Sequence, residues 1–323
     1  MPVVAVIGCG AWATTVAQLI AENGHSVTLL CHRNEYVETI ERDRENTLAL
    51  PGFKVSDLIT PTIDPEKIAS AAYWVICVPS KFLSGLTQLQ PSYSGQSIIS
   101  LIKGLPDVAE WGLASDYIKQ AMGCPTISVL SGPNLASEVA QHLPGATVVA
   151  APTEALNTQW QSLLHRPYFR LYRSVDIRGV ELGGLLKNVY AIAGGIVDGL
   201  GLGENAKAAL MTRALSEMIR IGTEFGAEKT TFYGLSGLGD LMATSYSQSS
   251  RNWQLGYTLA TETPESRIDR GVAEGARTVR LLSPQLNPNA DYPIFNAIHS
   301  VIAKNANIAD VMATLMQREL KSE

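Results

Sequence analysis

Lys187 offers the chain's clearest proton-transfer chemistry. Between Leu182 and Gly203 the only charged side chains are Lys187 and Asp198. The stretch 183–198, GGLLKNVYAIAGGIVD, reads as an apolar helix, yet it carries four glycines, each costing ~1 kcal/mol relative to alanine in a helix interior. At helical spacing Gly183, Gly184, Ala191 and Gly194 share the face of Lys187, at i−4, i−3, i+4 and i+7. An amine so placed could give and take a proton if desolvation brought its pKa towards ~7–8. The glycines then read as clearance for a cofactor and a small substrate. The plainer alternative is a lysine that lays its stem on the core and reaches water. Asp198, nearly three turns on, reads as structural.

Two later motifs offer partners. Asp240 ends Gly237-Leu238-Gly239-Asp240, a glycine-rich turn that could bring a carboxylate to an ammonium. Arg251, in Ser249-Ser250-Arg251-Asn252, suits a bidentate phosphate clamp. A turn and a helix cap would explain the same residues, and spacing alone does not join them to Lys187.

The chain also opens on anion chemistry. Gly8-x-Gly10-x-x-Ala13, with Ala11 and Trp12 inside it, is the dinucleotide fingerprint with alanine in its third place. It follows a buried strand and opens a helix, whose free N–H groups and dipole suit a pyrophosphate. About 20 residues on, an NAD-selective site usually places an acid. Here the sequence is Cys31-His32-Arg33-Asn34, so Arg33 either accepts a 2′-phosphate or is a surface arginine, and NAD and NADP both remain open. Cys77-Val78-Pro79-Ser80, Lys103-Gly104 and Ser131-Gly132-Pro133-Asn134-Leu135-Ala136 each follow a strand-like run. They would lie at the carboxyl edge of a sheet, where ligands bind in open α/β folds. Lys103 could reach an anion there, and Asn134 could cap a helix.

Elements that would position these residues alternate in the first half. Strand-like runs fall at 3–7, 26–31, 59–62, 73–78, 97–100, 126–130, 146–150 and 169–173. A helix follows Gly8 as far as Gly24, and others are expected at 65–72, 81–90, 110–120, 134–142 and 154–164. Such alternation means βαβ units and a mostly parallel sheet. Beyond Val175 the strand signal stops, and 180–198, 205–225, 253–260, 276–282, 293–303 and 308–320 read as helices. The expectation is an α/β fold of two domains: a Rossmann-type NAD(P)-binding domain over 1–175 and an all-helical substrate domain over 176–323.

Composition narrows the function. Of 323 residues 46% are apolar and 17% charged, and the net charge is −5. This suits a well-buried globular protein without the basic field that nucleic acid or an anionic membrane would need. Cys9, Cys31, Cys77 and Cys124 show no C-x-x-C spacing, the five histidines are scattered, and no metal site is expected. The N-terminus enters a strand directly, so no signal peptide is expected, and no run is expected to approach the ~18 apolar residues of a membrane span. Four dispersed cysteines fit a reducing cytoplasm.

The order of motifs resembles one family, the NAD(P)-dependent glycerol-3-phosphate dehydrogenases of bacterial type. The resemblance runs through GCGAWA at Gly8, LPG at Leu50, CVPS at Cys77, KGL at Lys103, SGPNLASE at Ser131, VELGGLLKN at Val180, GLSGLGDL at Gly234, SSRN at Ser249 and GVAEG at Gly271. It implies a Rossmann-type domain followed by a helical domain of the 6-phosphogluconate-dehydrogenase kind, usually in a homodimer. The implied reaction interconverts dihydroxyacetone phosphate and sn-glycerol 3-phosphate with NAD or NADP and no metal, supplying phospholipid synthesis. Carried over by position, Lys187 matches the proton acceptor, with Asp240 orienting it and Lys103 beside the reaction. Lys103, Gly132, Asn134, Lys187, Asp240, Ser250, Arg251 and Asn252 match substrate contacts. Gly8, Gly10, Ala11, Trp12, Ala13, Arg33, Lys103, Ala136, Arg251 and Glu274 match cofactor contacts. The chain departs from the pattern at Ala13 (usually glycine), Asn134 (usually a small hydroxyl residue) and Ser245 (commonly cysteine). Alternatives of other kinds are a related ketone or 2-hydroxyacid reductase and a non-catalytic NAD(P)H sensor.

Overall fold

A computed structural model describes residues 3–88, 93–107, 112–262, 273–317 and 319. The chain forms two compact units, Met1–Glu181 and Leu182–Glu323.

In the first unit eight strands form one sheet: β1 (Val4–Ile7), β2 (Val27–Leu30), β3 (Ile59–Thr62), β4 (Tyr73–Ile76), β5 (Ser97–Ser100), β6 (Ser128–Ser131), β7 (Gly145–Ala150) and β8 (Phe169–Ser174). Their order is β3-β2-β1-β4-β5-β6-β7-β8, and every pair is parallel except β6 with β7. The apolar run of β1 is buried throughout because it feeds two cores. Val4 and Val6 join one apolar cluster, and the alternating Ala5 and Ile7 join another, as the two faces of a covered parallel strand require. Ile7 lies level with Leu30 and Ile76, and Ile76 with Ser100. The loops after these strands therefore start from one sheet edge.

Helices α1 (Ala11–Glu22), α2 (Asn34–Asp43), α3 (Ala114–Met122), α4 (Ala136–Ala140) and α5 (Glu154–Leu164) lie between the strands. Three expected helices differ. The segment 65–72 is a short 3-10 turn, Pro65–Ile68, because the Ala72 N–H already bonds to Val3 O and commits the chain to the sheet. The segment 81–90 is also 3-10, Ser80–Gln88, with 89 and 90 outside the described residues. The segment 134–142 shrinks to α4, ending where His142 turns to positive φ. The expected start of α3 at 110 lies outside the described residues. Periodicity did not single out α2, whose buried positions are only Val37 and Ile40.

The helical half comprises α6 (Ile177–Gly199), α7 (Gly203–Glu224), α8 (Asp240–Tyr246), α9 (Arg251–Thr261), α10 (Glu274–Leu282), α11 (Pro293–Lys304) and α12 (Ile308–Met316). The expected end at 320 lies outside the described residues. The unit border falls inside α6, whereas the change of sequence period comes at 175. At 23 residues, α6 is long and apolar enough by composition to cross a membrane, contrary to the expectation that no run would be. Its whole apolar window is buried within the protein, so its composition is that of a core helix.

Two glycines of α6, Gly183 and Gly195, have a different reason from the one expected. A Cβ on Gly195 would overlap the backbone of Trp253, and one on Gly256 of α9 would overlap the carbonyl of Ile192. The two helices cross with main chains in contact, each supplying a glycine. Gly183 likewise faces the Ser236 carbonyl. These residues clear neighbouring protein backbone, not a ligand.

Candidate active site

Lys187 lies on α6 with only 8% of its surface exposed, and Asp240 with 2%. The amine Nζ donates to Asp240 Oδ1 at 2.9 Å and to Thr244 Oγ1 at 2.6 Å. The Thr244 hydroxyl in turn donates to Asp240 Oδ1 at 3.3 Å. The expected glycine-rich turn before Asp240 is a π-helical turn, Leu235–Gly239, running straight into α8. Asp240 and Thr244 therefore stand one turn apart on one helix face, and both reach the same amine. Sequence reading missed Thr244 because Asp240 was placed in a turn. Read as a helix, GDLMAT shows the i, i+4 pair directly.

A second buried network starts from the next residue. Asn252 Nδ2 donates to Asn188 Oδ1 at 2.8 Å, Asn252 Oδ1 accepts from the Gly275 N–H at 2.9 Å, and Asn188 Nδ2 donates to Gly184 O at 3.3 Å. These bonds join α6, α9 and the first turn of α10. Asn252, matched to substrate by the resemblance, thus has its amide engaged with protein on both sides. Arg251 is exposed at the start of α9, and Glu274 is half-buried at the start of α10. Ser250 caps α9, its Oγ accepting from the Trp253 N–H at 3.3 Å. Asn188 received no role from sequence, although a buried amide beside a buried lysine was the available signal.

Asp198 is not idle. Its Oδ2 accepts from Lys207 Nζ and from Trp253 Nε1, each at 2.5 Å, and the Lys207 ammonium sits 4.1 Å from the centre of the Tyr246 ring. One carboxylate braces α6, α7 and α9, and Tyr246 ties the end of α8 to the same point. With Lys187 holding the start of α8, that helix is fixed at both ends.

The first unit presents its candidate residues differently. Gly8 has φ +119°, and a Cβ there would overlap the Cys77 carbonyl, so the fingerprint turn and the CVPS loop touch through backbone. Gly10 caps α1 without a side-chain hydrogen bond and has open space where a Cβ would be. Ala13 is fully buried, and Trp12 packs edge-on against Phe169 at 6.1 Å. Ala11 is half-buried. Arg33 is exposed, with its guanidinium 5.2 Å from the Tyr36 ring centre and Nη2 donating to the Tyr36 hydroxyl at 3.4 Å. Lys103 Nζ donates to Gly132 O at 2.8 Å, and a Cβ on Gly132 would press on the backbone of Thr147. Asn134 Oδ1 and Nδ2 are covered and lack hydrogen-bond partners, as does the buried Ser131 Oγ. Ala136 opens α4 and its carbonyl accepts from Thr15 Oγ1 at 3.3 Å, docking α4 on α1.

Glu181, in the VELGG motif, is a buried carboxyl that accepts from the Ser115 N–H at 2.9 Å and from the Ser115 hydroxyl. Burial pushes its pKa up to about 7, against the pull of the Ser115 hydrogen bonds. Among the described residues no cluster of three or more His, Cys, Asp or Glu side chains could hold a metal.

Comparison with known proteins agrees with both halves. Residues 3–157 match the model of the NAD-dependent glycerol-3-phosphate dehydrogenase N-terminus, and 176–313 that of its C-terminus. The chain belongs to this family. A glycerol-3-phosphate dehydrogenase [NAD(P)+] of Thermus thermophilus is 42% identical over 324 residues, covering 99% of each chain. One of Azotobacter vinelandii is 40% identical over 99% of this chain and 96% of its own. Among solved structures, glycerol-3-phosphate dehydrogenase of Coxiella burnetii superposes with a TM-score of 0.91 at 30% identity, covering 98% and 99%. As a glycerol-3-phosphate dehydrogenase, the chain has features suited to a nicotinamide dinucleotide: an open Gly10 cradle, an α1 start without a side-chain cap, and unsatisfied polar atoms at Ser131 and Asn134.

Proposed function

We propose that this chain interconverts dihydroxyacetone phosphate and sn-glycerol 3-phosphate with NAD(P)H, supplying glycerol phosphate for lipid synthesis. The observation that carries this reading is the buried Lys187–Asp240–Thr244 group in a chain of this family. A nicotinamide dinucleotide held at Gly8, Gly10 and Ala13 would supply the hydride-transfer chemistry. Lys187 Nζ donates its proton to the C2 oxygen as the ketone is reduced, and takes the hydroxyl proton in the reverse direction. Asp240 and Thr244 aim the amine, so its position is set before substrate arrives. Arg251 clamps the phosphate, and the Asn188–Asn252–Gly275 network holds Arg251 and Glu274 on their helices. Lys103, Gly132, Asn134 and Ser250 contribute the remaining substrate contacts.

In this reading the turn at Gly8, Gly10 and Ala13 holds the pyrophosphate on the start of α1, with Ala11, Trp12 and Ala136 alongside. The end of β2 favours NADPH over NADH, because it offers Arg33 braced on Tyr36 where an NAD site offers an acid. The enzyme works in the cytoplasm, consistent with four free cysteines, and as a homodimer, which sedimentation would test. Purified Lys187→Ala should lose ~10²–10⁴-fold in NADPH oxidation with dihydroxyacetone phosphate. Near wild-type turnover of that variant would exclude the assigned role.

A further inference from the structure

Helix α4 has little packing of its own: of its five residues only Val139 is buried. Its start is tied to α1 by Thr15, whose hydroxyl donates to Ala11 O at 2.9 Å and to Ala136 O at 3.3 Å. Ala11 and Ala136 both match cofactor contacts, so one hydroxyl joins the two segments that would face the dinucleotide. Close packing does not fix the far end. A cavity of about 260 Å³ lies there, lined by Glu22, Leu50, Phe53, Val55, Ala140 and His142 among others.

His142 occupies a position that favours glycine. The Leu143 N–H bonds to Glu138 O and the His142 N–H to Val139 O, each at 3.0 Å, which is the pattern of a Schellman end. The residue at its turn is left-handed, and glycine adopts that conformation without strain. His142 holds it at φ +59°, and the side chain supplies a reason. Its Nε2 lies 3.2 Å from Glu22 Oε1, and its ring stacks on Tyr168 with centres 4.2 Å apart. Glu22 is itself held. Gln18 Nε2 donates to Oε1 at 3.0 Å, the Tyr168 hydroxyl donates to Oε2 at 2.6 Å, and Arg166 Nε lies 3.3 Å from Oε2. Thr15 and Glu22 stand about two turns apart on α1, so α4 is pinned to one helix at both ends.

We propose that His142 is a positioning residue for dinucleotide binding, locking the end of α4 to Glu22 and so fixing the segment 131–136 relative to the fingerprint turn. Its role in binding rests on the reading that Gly10, Ala11 and Ala136 hold the cofactor. A dinucleotide that touches both segments then meets a preset spacing and loses no affinity to ordering them. Without the ring, α4 can pivot about Thr15 and Val139, and the cavity gives it room.

His142→Gly removes the ring and leaves the backbone unstrained, so the urea midpoint should stay close to the parent's. Amide hydrogen exchange over 131–141 should become faster, with exchange in β1 unchanged. NADPH affinity, followed by fluorescence titration, should fall ~5–10-fold, the lower part of the usual coupling range. Turnover at saturating NADPH and dihydroxyacetone phosphate should hold, the mark of lost binding with the reacting groups intact. His142→Gln keeps a donor within similar reach of Glu22 and should restore part of both the protection and the affinity. Parent-like exchange over 131–141 in His142→Gly would overturn the lock, as would a glutamine variant no better than glycine. Faster exchange with parent-like NADPH affinity would overturn the role in binding. A parent protein that fails to bind NADPH would overturn the functional reading and that role together, and the exchange result alone would then decide the lock.

Discussion

The two units present their candidate residues in opposite ways. In the sheet unit, groups matched to the cofactor or substrate are left open: Gly10 faces empty space, Arg33 is exposed, and Asn134 has no partner for either amide atom. In the helical unit, groups matched to the chemistry already hold one another: Lys187 to Asp240 and Thr244, Asn252 to Asn188 and Gly275. Binding a long anion needs backbone donors presented to it. Moving a proton needs an amine held in place, because loose geometry wastes the proximity on which the rate depends.

The sharpest way to break this contrast is to remove one partner from the paired half. Asp240→Asn leaves a buried ammonium without its carboxylate, which should cost ~3–5 kcal/mol of stability, read as a lower urea midpoint. Thr244 remains as an acceptor, so folded Asp240→Asn should lose turnover more than substrate affinity. An equal loss in both would show that Asp240 does not aim the amine. In the open half, Arg33→Ser should weaken NADPH by ~10–100-fold, the value of a hydrogen bond to a charged group, and leave NADH nearly unchanged. A parallel loss of NADH would show that Arg33 supports the fold instead of choosing the cofactor.

The smallest expected effect concerns Glu181, which belongs to neither pattern. Its folded pKa, about 7, stands above the ordinary carboxyl value of 4.5. Between those values the folded chain binds the proton more tightly than the unfolded one. The stability this contributes is therefore full at low pH and is lost as pH rises towards 7. Glu181→Gln should remove that slope while keeping an acceptor for Ser115. Urea midpoints at pH 5 and pH 8 should converge for the variant relative to the parent; an unchanged difference would mean Glu181 is ionised when folded.

The same contrast explains what the sequence made legible. The open half is written locally. Gly8, Gly10 and Ala13 lie within six residues, and β3 and β5 have the spans the sequence predicts, Ile59–Thr62 and Ser97–Ser100. The paired half is written at a distance. Lys187 was visible as a lone charge on an apolar helix, but its partners lie 53 and 57 residues away. Thr244 was hidden by reading a π-helical stretch as a simple glycine-rich turn. Gly183 and Gly195 were noticed for their cost and given the wrong beneficiary, because nothing near them in sequence names the backbone they admit. The fold class needed only period; the helix crossings needed coordinates.

One of those crossings sets a limit on variation. Where α6 meets α9, the spacing is set by side chains that are not there, Gly195 on one helix and Gly256 on the other. No rotamer change can relieve a Cβ placed against a neighbouring carbonyl, and a compensating change on the partner helix has no smaller residue to offer. The distance from Lys187 to the helix carrying Arg251 is thus gauged by two vacancies. A population of sequences free to drift elsewhere on these helices would find these two positions closed.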